Sequence, residues 1–166
     1  MKKPRSRSNY GFRAPQDNIE EKVIQVDRVA RTVKGGRRIR FRALVVVGDR
    51  KGSIGVGVGK ATEVSVAVSK ASTYARRHMK KIAILNDTIP LEILQSYGSA
   101  KVYLKPAPKG TSVIAGGSIR AVIEACGIKN LVAKSLGSAN KLNKVKATVL
   151  GLETVTKLAQ QSGRVK

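Results

Sequence analysis

The chain has 166 residues, 42% hydrophobic and 4% aromatic, and its 33 Lys and Arg against 10 Asp and Glu give a formal charge of +23. A chain of this length buries roughly 70% of its unfolded surface, which allows one ordinary domain or two small ones, and without tryptophan the core must be aliphatic and alanine-based. Such charge repels itself in a compact monomer unless a polyanion neutralises it, so nucleic acid is the leading partner and an anionic membrane the weaker one; one cysteine and one histidine exclude an internal disulfide and a His/Cys metal centre.

The excess charge is spread along the chain: residues 1–88 carry 21 basic and 7 acidic side chains, residues 89–166 carry 12 and 3. No apolar run approaches the roughly 18 residues of a membrane span and no hydrophobic signal core follows Met1, so a soluble, non-secreted chain is expected. Residues 1–18 hold five basic side chains before Asp17, with Pro4, Pro15 and no apolar period, and read as a flexible arm that orders on a phosphate surface. Tyr10 and Phe12 in that arm are rings that can stack on bases.

From Ile19 the pattern changes. Val23, Ile24, Val26, Val29 and Val33 favour a strand, and Lys34-Gly35-Gly36-Arg37 supplies a turn in which Gly-Gly permits positive φ at both central positions. Arg38, Arg40 and Arg42 then alternate with Ile39 and Phe41, which predicts a strand with one cationic and one apolar face. Ala43–Val47 is continuously apolar, as for a strand entering a core. A second turn, Gly48-Asp49-Arg50-Lys51-Gly52, leads to a third strand, SIGVGVGKA.

Glycine at 55, 57 and 59 resembles a nucleotide loop only superficially. Ile54 stands where a Walker A loop needs its first glycine and Ala61 where it needs Ser or Thr, and Lys60 or Thr62 takes the third glycine position of the dinucleotide fingerprint. Alternate glycines instead leave one strand face bare for close approach by a backbone, a helix or RNA. Thr62 is the expected N-cap of a helix reaching about Met79, with Val64, Ala67, Val68, Ala71, Ala75 and Met79 on its buried side and Arg76 and Arg77 near its end. His78 has no partner motif.

Residues 82–90 mark a domain joint. Two strands follow, LEILQSYG and SAKVYLKPAP, then a stiff basic loop from Lys105 through Lys109 and Gly110 to Thr111. Gly116-Gly117 precede a helix with Ile119, Val122, Ile123 and Cys126 on one face and Gly127 as its stop, and a helix start behind glycines is a potential phosphate site. Cys126 is expected to be a buried thiol in a reducing compartment. A further strand, IKNLVAKSLGS, is followed by a last helix capped by Ser138 or Asn140, with Leu142, Val145, Val149, Leu152 and Val155 inward and Lys141, Lys144 and Lys146 outward, and the end of the chain (161–166) is expected to fray. No constellation of titratable groups suggests catalysis, so no catalytic residue, metal or cofactor is assigned.

At KGGRRIRFRALVVVGDRKGSIGVGVGKATEV and PAPKGTSVIAGGSIRAVIEACGIKNLVAKSLGSAN the chain resembles the family of ribosomal protein five of the bacterial small subunit, over about residues 19–155. The resemblance implies an α+β protein of two small domains. Residues 19–85 would be a double-stranded-RNA-binding-like domain with a three-stranded antiparallel sheet and a helix, although the helix that usually opens such domains is not found. Residues 86–160 would be a β-α-β-α domain with a left-handed crossover, against the usual hand. It implies a structural constituent of the small subunit that binds its rRNA, supports assembly and the channel by which messenger RNA enters, and influences decoding accuracy. The implied protein neighbours are small-subunit proteins four and three, with eight as a further candidate, and no homo-oligomer. The family's spectinomycin-facing loop maps to Arg28, Val29, Ala30, Arg31 and Lys34–Arg37, and its surface towards protein four to Gly110, Thr111, Ser112 and Arg120.

Residues and resemblance together give an RNA-binding set of Arg28, Arg31, Lys34, Gly35, Gly36, Arg37, Arg38, Arg40, Arg42, Arg50, Lys51, Gly55, Gly57, Lys60, Arg76, Arg77, Lys105 and Lys109. The competing readings are a free-standing RNA chaperone and, more remotely, an enzyme on a second domain similar in fold to some small-molecule kinases.

Overall fold

The computed structural model describes residues 19–163; the expected arm over 1–18 and the last three residues lie outside them. Among the described residues two four-stranded sheets and three helices form the α+β architecture. The first sheet has the order β1-β2-β3-β4, from β1 (Glu20–Val33), β2 (Gly36–Gly48), β3 (Ser53–Ala61) and the two-residue β4 (Lys80–Lys81), all antiparallel. The short β4 makes it one strand larger than expected. Helix α1 (Val64–Arg77) covers one of its faces.

The second sheet, ordered β5-β6-β8-β7, comprises β5 (Ile93–Tyr97), β6 (Ala100–Pro106), β7 (Val113–Ile114) and β8 (Leu131–Gly137). Its one parallel pair, β7 with β8, is joined through α2 (Gly117–Cys126), because parallel neighbours need a crossover. Helix α3 (Lys141–Gln161) packs on β5 and β6, while α2 also touches β1, β2 and β3. The first sheet is therefore covered on both sides where its sequence is continuously apolar. Ala43, Val45 and Val47 meet Ala67, Ala71 and Ala75 of α1, while Leu44, Val46 and Ile54 point the other way into the core shared with α2 and α3. Ile82 and Ile89 of the joint are buried in that shared core, so the two units pack as one hydrophobic body.

Two local expectations are corrected, and one feature of the hairpin is added. The central positions of the first hairpin turn are Lys34 and Gly35, and only Gly36, at φ 135°, takes a glycine-only conformation. Damage from valine is therefore expected at Gly36 and not at Gly35, whose Cβ direction is open. The N-cap of α1 is Glu63 instead of Thr62, with no side-chain cap bond, and the helix ends at Arg77. The apolar side of the distal hairpin is not core: Ile39 remains 40% exposed, because a 14-residue helix spans about 21 Å and cannot cover a strand of about 43 Å.

Elsewhere local chemistry behaves as expected. Asn140 caps α3, its side chain accepting from the Leu142 N–H, and Gly127 ends α2. Helix α3 continues into the segment expected to fray, through Gln161, and Ser162 donates its N–H to the Leu158 carbonyl. Cys126 is fully buried, and burial, with the Asp49 charge as a lesser cause, pushes its thiol up to about 12. The folded protein should resist a thiol-directed disulfide reagent at pH 8 and react promptly once unfolded in denaturant, as absorbance of the released chromophore would report.

Candidate nucleic-acid interface

The long β1-β2 hairpin decides which cations share a surface. Its register shifts by one between Val23 and Gln25, where a β-bulge adds a residue to β1. Beyond the bulge Asp27, Val29 and Arg31 face Arg42, Arg40 and Arg38, and in β3 Lys60 lies opposite Arg42. Residues directly opposite in an antiparallel pair point to the same side, so Arg31, Arg38, Arg40, Arg42 and Lys60 form one cationic face. Val29, Ala30, Arg31, Arg38, Arg40 and Lys60 line a shallow groove of about 340 Å³ there.

Arg42 differs from its neighbours in being neutralised. It donates to Asp27 Oδ2 from Nε at 3.1 Å and from a terminal nitrogen at 2.7 Å, and together with Gln25 holds the Asp27 carboxyl below its ordinary pKa. Arg31, Arg38, Arg40 and Lys60 have no carboxylate within 4 Å among the described residues. Four free cations on a rigid sheet can meet a phosphate backbone.

The other expected residues disperse. Arg28 and Arg37 lie opposite Phe41 and Thr32 on the reverse face, with Lys34, Gly35 and Gly36 at the tip. Gly55 and Gly57 are corrected outright as RNA contacts: both are buried, because α1 occupies the bare face of β3 with its Ala75 and Ala71 carbonyls where their Cβ atoms would stand. Arg50 and Lys51 are at the opposite end of the hairpin, where Gly48 pairs with Glu20, about 40 Å from the tip at strand rise. Arg50 holds Glu20 at 2.6 Å and lowers its pKa. Arg76 bonds Glu21 at 2.8 Å, and Arg77, Lys105 and Lys109 are exposed at scattered places.

The loop expected to meet a protein neighbour is built tightly. Gly110 and Ser112 both have positive φ, and their backbone N–H groups donate to Asn130 Oδ1 at 3.1 and 3.2 Å. Asn130 is buried and escaped the sequence reading, since nothing in IKNLV distinguishes a loop clamp from a turn polar residue. Ser112 and Arg120 share a groove of about 440 Å³ with Lys22, Arg50 and Lys129. Within it Glu124 accepts from Arg120 at 2.7 Å and from Lys22 at 2.9 Å, and these bonds lower its pKa. Asn130→Ala should cost about 1–3 kcal/mol by stranding two amide donors, and amide exchange at Gly110 and Ser112 should accelerate more than elsewhere.

Among the described residues no group of three or more His, Cys, Asp or Glu could hold a metal ion, and no helix is long and apolar enough to cross a membrane. Comparison with known proteins matches residues 19–83 to the N-terminal domain of ribosomal protein S5 and residues 95–163 to its C-terminal domain. Small ribosomal subunit protein uS5 of Xylella fastidiosa (strain M23) is 45% identical over 163 residues, which is 96% of this chain and 91% of that protein. The uS5 of Dehalococcoides mccartyi is 52% identical over 134 residues (81% and 78% of the two chains), and that of Lawsonia intracellularis 51% over 135 (81% and 83%).

Proposed function

Since the chain belongs to the ribosomal protein S5 family, we propose that it grips small-subunit rRNA through the hairpin face of Arg31, Arg38, Arg40 and Lys60. Membership makes it a component of the small ribosomal subunit of bacterial type and not an enzyme. The observation that carries the RNA reading is the concentration of four uncompensated cations, Arg31, Arg38, Arg40 and Lys60, on one face of the sheet. Folded RNA hides its base edges in a deep major groove, so phosphate and shape are what such a face reads.

On this reading the Asn130-clamped loop of Gly110, Thr111 and Ser112, together with Arg120, meets small-subunit protein four, with proteins three and eight as further neighbours. Its groove already mixes paired acids and bases, which suits a polar protein contact better than a phosphate. Tying rRNA to protein neighbours is how the chain would support assembly, the messenger channel and decoding accuracy.

Salt-titrated binding of the full chain to small-subunit rRNA tests the proposal. With about eight phosphate contacts, log K should fall against log salt with a slope of roughly −6 to −7. A flat dependence, or absence of the chain from small subunits on a sucrose gradient at physiological salt, would refute it.

A further inference from the structure

The chain has few rings, four Tyr and two Phe, and among the described residues none is buried in the core. Two of the tyrosines and the only histidine instead line one groove of about 520 Å³, beside the part of β3 that β4 leaves unpaired. Tyr74 of α1 and His78, just past that helix's end, stand on one side, stacked at 4.2 Å with 24° between their planes. Tyr97 stands on the other, its ring 5.2 Å beneath the Lys146 ammonium and its hydroxyl accepting from that group at 3.2 Å. Val56, Val58, Val149 and Leu150 supply an apolar floor.

Tyr74 is 52% exposed. A ring left this open in a protein so poor in rings is available to a flat partner, and Lys146 has no carboxylate within 4 Å among the described residues. Lys80 on the same rim is held by Glu153, so Lys146 is the cation free for an anion. A flat apolar ring carrying a negative charge fits this combination, whereas a peptide strand would need neither the stacked ring pair nor the free ammonium. We propose that this groove seats one unstacked RNA nucleotide, its base against Tyr74 and Tyr97 and its phosphate at Lys146.

The inference rests on the RNA-binding reading but concerns a surface separate from the hairpin face, and its physical signature differs. Stacking is a contact between rings that salt screens little, whereas phosphate contacts release counterions. Full-length protein should therefore be titrated with small-subunit rRNA over a range of salt. Tyr74→Ala should weaken binding about 5- to 100-fold with the slope unchanged, Tyr74→Phe should restore it, and Lys146→Gln should make the slope shallower by about 1. Each variant's melting temperature, which should stay at the parent value, separates lost contact from lost fold. Ultraviolet crosslinking within assembled small subunits should give a nucleotide adduct on Tyr74 or Tyr97.

Parental affinity in Tyr74→Ala, or a crosslink from these rings to a protein chain, overturns the inference while leaving hairpin binding intact. Failure of the parent protein to bind rRNA at all overturns the underlying reading instead.

Discussion

Alanine at Gly57 is expected to destabilise the protein by about 3–5 kcal/mol, at the severe end of what single substitutions do. Its Cβ would lie 2.0 Å from the Ala71 carbonyl oxygen and 3.0 Å from the Ala75 amide nitrogen, both backbone atoms of α1. A flexible side chain could swing away from the intruder; a helix backbone cannot. Gly55 and Gly59 admit the helix as closely, at 2.2 Å each from the carbonyls of Ala75 and Ala67, so α1 cannot lift at one site without separating along the whole strand. That would open the cluster of Ala43, Val45 and Val47 against Ala67, Ala71 and Ala75. Thermal unfolding followed by circular dichroism should show a midpoint roughly 10 °C lower. Gly35→Ala, which adds its methyl to open space, should leave it within about a degree or two, as surface changes generally do. Equal midpoints for the two variants would mean that α1 does not rest on the glycine strand.

That glycine strand also marks where the sequence stops being informative. Alternate glycines announce that something comes close, and the failed spacing rules out a nucleotide loop, but a missing side chain does not say what fills its place. The occupant is set by tertiary packing, and it is the following helix, α1, through Ala67, Ala71 and Ala75. Features decided by neighbours in sequence were legible: the core-bound run Ala43–Val47, a cap at Ser138 or Asn140 (the structure uses Asn140) and the Gly127 stop all depend on local pattern. Features decided by register were not. In sequence, Arg38, Arg40 and Arg42 are equivalent members of one alternation. The bulge between Val23 and Gln25 separates them by placing Asp27 opposite Arg42. Without that extra residue the pairing would slip by one and every β1 side chain beyond it would change faces. Asp27 would then oppose Phe41, and Arg28 would join the cationic face in place of Arg31. A one-residue irregularity, invisible to a two-residue period, thus chooses the members of the site.

The same register predicts the largest loss of affinity. Replacing Arg31, Arg38 and Arg40 together by glutamine should make the log K against log salt slope shallower by about 2–3 and weaken rRNA binding by roughly 10- to 100-fold near physiological salt, because three phosphate contacts and their released counterions disappear. The fold should survive, since all three side chains are exposed and unpaired among the described residues. Asp27→Asn should act in the opposite direction. Arg42 spends two bonds on that carboxylate, and an amide in its place leaves a fifth cation free on the face, which should steepen the slope by about 1. Exposed ion pairs contribute little to stability, about 1 kcal/mol at most, so this gain in affinity should come with almost no change in melting temperature. If both variants left the slope at its parental value, the rRNA would have to be held elsewhere on the chain, and the uncompensated face of the hairpin would be a solvated surface.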